Sequence, residues 1–162
     1  MTASVLGVLA FSTLAACGTE SGSGTGSGDS GDGSGTVSTE PSAPLTGTAW
    51  KVTGLVSGGT DASLPAGTEK KAHLTFGKDG SVEGSLGCNS FHGTAAVSGS
   101  TLTFGPLTST RKMCPGPEME LERALLGVLE GRTTYVIDHR SLSIEAKSGK
   151  GLDASAPPAA GG

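Results

Sequence analysis

Three cysteines, three histidines and a handful of carboxylates are the groups in this chain of 162 residues that could do chemistry. Cys88 stands in Glu83-Gly84-Ser85-Leu86-Gly87-Cys88-Asn89-Ser90-Phe91-His92-Gly93, where a glycine-rich strand meets a tight turn. Cys114 stands just before the one strong helical pattern. The pair could form a disulfide tying turn to helix, remain as two buried thiols, or hold zinc together with His92. Zinc is the poorest fit, because a structural site takes four ligands and the neighbouring sequence offers no fourth. His73 and His139 fall in a strand and a hairpin turn with no acid–base partner at a recognisable spacing. His92 lies near Asn89, but nothing marks it as a base. Asn89 reads as a turn residue whose side chain satisfies backbone groups at a kink. Glu122 borders the apolar stripe of the helix, where its carboxylate could accept bonds from the loop at 88–91 or pair with Arg111. No Gly-x-Ser-x-Gly elbow, His-Glu-x-x-His helix or paired-carboxylate signature is present. These residues therefore point to no catalytic centre, no metal and no cofactor.

The elements that must position these groups run from about residue 45 to 153, enough for one modest domain. Trp50 and Val52 share one face of a strand at 48–56. A polar loop with Gly58, Gly59 and Pro65 leads to a strand at 72–76. Asp79-Gly80 supplies the hairpin turn into a strand at 82–86. Short strands at 94–97 and 101–104 follow, and Pro106 ends the second. A helix is expected at 117–130. Pro117 suits its first position, and Glu118, Glu120 and Glu122 crowd the end where the helix dipole favours anions. Leu121, Ala124, Leu125, Val128 and Leu129 fall on one side, the stripe that packs on the sheet. A last hairpin joins 133–137 to 142–146, and the tail from Ala154 to 162 is expected to be frayed. The fold class is α+β: an antiparallel sheet curling into an incomplete barrel, with one packed helix.

Charge separates the domain from what precedes it. Residues 45–153 carry eleven acids and eleven bases, so the net charge of −4 resides in Glu20, Asp29, Asp32 and Glu40. A neutral domain without a basic run has no electrostatic footprint for nucleic acid. Residues 18–44 are almost entirely Gly, Ser, Thr and acids, too poor in apolar groups to recover their ordering entropy. As a disordered linker they reach on the order of 30 Å. Nothing frames their glycines as a phosphate-binding loop.

Residues 3–16 form an uncharged apolar run, too short to span a bilayer and of the length of a signal-peptide core. The run ends in Leu14-Ala15-Ala16-Cys17, which resembles the lipobox of bacterial lipoproteins, although Met1-Thr2 supplies no basic n-region. The resemblance implies a signal peptide at 1–16 and a diacylglyceryl Cys17 that anchors the chain on the extracytoplasmic face of a membrane. Two acyl chains hold where one is marginal, since each buried CH2 contributes about 0.8 kcal/mol. In that compartment a disulfide between Cys88 and Cys114 is the expected state.

The order of motifs resembles the META/HslJ-like family over about residues 45–152. Trp50, Leu74-Thr75-Phe76 and Asp79-Gly80 match, followed by Gly84-Ser85-Leu86-Gly87-Cys88-Asn89 running to Phe91 and Gly93. Leu102-Thr103-Phe104-Gly105-Pro106-Leu107, Thr110-Arg111-Lys112-Met113-Cys114-Pro115 and Glu118-Met119-Glu120-Leu121-Glu122 complete the series. The resemblance implies a small β-rich α+β domain, frequent on secreted or lipid-anchored proteins, with heat-shock and antibiotic-resistance associations and no established enzymatic activity. The expected function is a non-catalytic, membrane-anchored lipoprotein serving envelope maintenance or stress tolerance through protein or cell-wall contacts. The alternative is a carrier that holds a hydrophobic ligand such as an acyl chain between sheet and helix. Trp50, Phe76, Leu86, Leu102, Phe104, Leu125 and Tyr135 would line that cavity.

Overall fold

A computed structural model of the chain describes residues 41–158. The signal-peptide stretch, Cys17 and most of the linker lie outside them. Ten strands and one helix follow in order: β1 (Ala49–Ser57), β2 (Thr60–Ala62), β3 (Ala72–Phe76), β4 (Ser81–Leu86), β5 (Ser90–Ser98), β6 (Thr101–Phe104), β7 (Thr108–Ser109), α1 (Gly116–Leu126), β8 (Arg132–Asp138), β9 (Ser141–Ala146) and β10 (Lys150–Ser155).

Eight of the strands close on themselves in the order β10-β9-β8-β6-β5-β4-β3-β1, because β1 also pairs with β10. β2 extends the far half of β1, and β7 adds to β5. The strand pairs are antiparallel, and the pleat turns alternate residues of most strands inward. β9 shows this plainly, with Leu142, Ile144 and Ala146 buried and Ser141, Ser143 and Glu145 exposed. Closure leaves no free edge on the ring of eight for another chain to pair with.

The expectation of an incomplete barrel is thereby corrected. The closing strand is β10, whose Gly151-Leu152-Asp153-Ala154-Ser155 contains no β-branched or aromatic residue to announce it. Leu152 lies between Ile144 on β9 and Leu55 on β1. A bulge between Val52 and Gly54 lets β1 keep register with β10 along its length. The tail expected to fray from Ala154 instead continues the wall: Ala154 and Ala156 are buried, and Ala156 N–H donates to the Arg140 carbonyl (2.8 Å).

Both ends of the barrel are covered. The turn from β4 to β5, the end of β6 and the start of β8 share one end, and α1 lies in the connection that crosses it. Leu121, Leu125, Val128 and Leu129 insert into the core from there. The helix is shorter than the predicted 117–130, because regular hydrogen bonding stops at Gly127. The turn beyond still buries Val128 and Leu129, with Leu129 N–H bonded to Leu125 O at 2.9 Å. At the other end the stretch before β1, expected to be linker up to residue 44, folds across the opening. Ala43 N–H donates to His139 O, Gly47 N–H to Phe76 O, and the Trp50 indole to Leu45 O at 3.0 Å.

Candidate functional site

The junction between the β4–β5 turn and the helix start is the most densely bonded polar region among the described residues. Gly87 turns the chain at φ 103°, and a β-carbon there would lie 3.0 Å from Leu121, so the helix rests directly on this turn. Cys88 and Cys114 are joined in a disulfide with Cα atoms 5.9 Å apart. Their sulfurs are therefore covalently paired and supply no thiolate for metal or nucleophilic chemistry.

Asn89 sits beside this bridge, only 2 % exposed. Its Oδ1 accepts from the Lys112 backbone N–H and the Thr110 hydroxyl, each at 2.7 Å. Its Nδ2 donates to Glu122 Oε2 at 2.8 Å and to the Lys112 carbonyl at 3.3 Å. The amide orientation is fixed by Lys112, whose N–H can only donate and whose carbonyl can only accept. Two acceptor and two donor positions are thus filled, the full capacity of the side chain. Asn89 thereby does more than the predicted turn residue: it stitches the β4–β5 turn, the 110–112 segment and α1 together.

Glu122, predicted to bond to the 88–91 loop or to Arg111, takes the first option through Asn89, and Arg111 stays exposed. Thr110, whose hydroxyl also receives the Ser90 N–H at 3.3 Å, was not singled out from the sequence. Its place in the Thr110-x-Lys112 stretch before Cys114 was the available signal.

The seven residues proposed to line a ligand cavity do come together. Trp50, Phe76, Leu86, Leu102, Phe104 and Leu125 are buried in one cluster, with Tyr135 packed against it. Phe76 and Phe104 meet with ring centroids 6.3 Å apart, a spacing normal for a packed aromatic pair. None of these seven side chains lines the main depressions on the described surface.

The histidines are dispersed. His73 and His92 are exposed on β3 and β5, His92 opposite Glu83, while His139 occupies the β8–β9 turn at φ 51°. His139 Nδ1 lies 2.7 Å from Asp138 Oδ1. Two carboxylates, the exposed Asp79 and the half-buried Glu118, are held below their usual range. The hydrogen bond from Lys71 lowers Glu118 and ties the β2–β3 loop to the helix start; the Ser81 hydroxyl and N–H lower Asp79 in the β3–β4 turn. Among the described residues no three His, Cys, Asp or Glu side chains gather as a metal site would require.

Comparison with known proteins agrees with this architecture. An NMR structure of a protein from Burkholderia xenovorans matches at 26% identity and TM-score 0.58, over 71% of this chain and 85% of that one. A second NMR structure matches at 20% identity and TM-score 0.53, over 68% of this chain and 90% of its own, a likeness of fold. No functionally curated protein matches the chain. The META domain profile matches residues 43–158, from the stretch that covers one barrel end to the last described residue. Since that span takes in the whole barrel, the disulfide and the Asn89 junction, the chain belongs to the META domain family.

Proposed function

We propose that the protein is a non-catalytic lipoprotein, anchored through diacylglyceryl Cys17 on the extracytoplasmic face of a membrane, whose META domain serves the cell envelope under stress. The observation that carries this reading is the Cys88–Cys114 disulfide, because such bonds persist in oxidising compartments outside the cytoplasm. It agrees with the lipobox-like Leu14-Ala15-Ala16-Cys17 and with the tether-like composition of the linker. A barrel packed inside and covered at both ends suits a rigid module that works through its outer surface.

The test is cell fractionation with mass spectrometry of the mature protein. The expected result is a membrane-bound chain beginning at an acylated Cys17, two hydrogens lighter than the dithiol form, and released by Cys17→Ser. An unacylated cytosolic chain with free Cys88 and Cys114 thiols would overturn the reading.

A further inference from the structure

The outer face of β1 forms the floor of a groove of about 530 Å³ with an unusual charge pattern. Its walls carry Lys51, Lys70, His73 and Arg140, and no described acid lines it. In a domain whose acids and bases balance overall, three cations and an imidazole around one groove form a local site for an anion. The register brings two of them close together: Lys51 is directly opposite His73 across β1 and β3, a placement that sets β-carbons about 5 Å apart. Lys70 arrives in the left-handed region at φ 70°, a conformation costly for a lysine and held by the turn in which Lys71 N–H bonds to Thr68 O. Arg140 is fixed from the other wall. One guanidinium N–H donates to Ala156 O at 2.9 Å, which leaves its other donors for a ligand.

The groove continues past Arg140 into a second depression of about 500 Å³, walled by Pro41, Ala43, Pro44, Pro157 and Pro158. Cations at one end and a proline–alanine trough at the other match a molecule that is anionic at its head and apolar behind it. We propose that this composite groove binds the phosphate headgroup of an anionic lipid. Lys51, Lys70 and Arg140 hold the phosphate oxygens by charge-assisted hydrogen bonds, and the trough receives the first carbons of the chains. The trough begins at Pro41, where the linker joins the domain, so a chain anchored at Cys17 would keep the groove near a bilayer. The choice of a lipid source rests on the extracytoplasmic reading above, whereas the anion site rests on the groove alone.

The test is an NMR titration of the full chain carrying Cys17→Ser, using dihexanoylphosphatidylglycerol below its micelle concentration. Saturable shifts are expected at the amides of Ala49, Lys51, His73 and Arg140. Lys51→Gln with Lys70→Gln should weaken binding about tenfold or more. Lys147→Gln, in a separate surface depression, should leave the affinity unchanged. Equal binding of dihexanoylphosphatidylcholine, equal binding of inorganic phosphate, or no saturable shift at these residues would each overturn the proposal. So would displacement of these same signals by Glu40→Gln without lipid, which would make the acidic linker the occupant. None of these outcomes depends on where the protein resides, so fractionation and titration fail separately.

Discussion

Asn89 on the β4–β5 turn donates its side-chain N–H to the Glu122 carboxylate on α1 across 2.8 Å, bridging 33 positions of sequence inside a buried site. The same amide holds both backbone polar groups of Lys112. Asn89→Ala would strand the buried Glu122 carboxylate, at about 1–3 kcal/mol for an unpaired group, and remove three further part-buried bonds to Thr110 and Lys112. The expected loss of unfolding free energy is therefore about 3 kcal/mol or more in urea titration. Asn89→Asp should be no milder, because it turns an acceptor toward Glu122 and the Lys112 carbonyl. Glu122→Gln preserves an acceptor and should cost less than about 1 kcal/mol. Equal stability of the native chain and Asn89→Ala would remove the junction from the fold's support.

The disulfide lies over the same junction and acts chiefly on the unfolded chain. Closing a loop between cysteines 26 positions apart is worth roughly 3–4 kcal/mol on the chain-entropy estimate. Unfolding in urea with and without reductant should differ by about that amount, as should Cys88→Ala paired with Cys114→Ala. Because Asn89 anchors Lys112 independently, the reduced domain should remain folded at neutral pH. Loss of all near-ultraviolet circular dichroism on reduction alone would contradict this division of labour.

Much of this arrangement could be read from residue types. The strand at 72–76 was legible because Ala72, Leu74 and Phe76 alternate with polar partners, and Asp79-Gly80 announced its turn. Glu122 was legible as partly buried because it borders the apolar stripe, a position from which a carboxylate can reach the Asn89 loop. The helix end was overrun because periodicity reports which residues are buried, and Val128 and Leu129 stay buried after regular hydrogen bonding ends. The groove was illegible, since Lys51, Lys70 and Arg140 meet only once β3, β1 and β10 are side by side.

Thr133 offers a test in the opposite direction. Its hydroxyl is buried in the wall of β8 without a hydrogen-bond partner, while the side chain is 1 % exposed. Valine has nearly the same shape and higher strand preference, so Thr133→Val removes a desolvation cost at little expense in packing. The variant should gain about 1 kcal/mol, raising the thermal midpoint by a few degrees for a domain of this size. A loss of stability would mean that a bound water satisfies the hydroxyl in solution.

The closing strand sets where the domain can be cut. Residue 153 marks the end of the sequence pattern, yet Ala154 pairs with Val52 on one side and Leu142 on the other. Ala156 exchanges two hydrogen bonds with Arg140, one from its own N–H and one from the guanidinium to its carbonyl. A chain stopped after Asp153 loses two buried methyl groups and this clamp. Area and hydrogen-bond estimates together place the cost at about 2–4 kcal/mol. A chain stopped after Pro158 keeps every one of these contacts and should unfold at the full-length midpoint. Hydrogen exchange distinguishes the two causes of any loss. If β10 closes the barrel, the shorter chain should lose protection first at the β1 amides that bond to it, while the β3–β4 hairpin stays slow. Uniform loss across all strands would instead show that β10 contributes to global stability without acting as the seam.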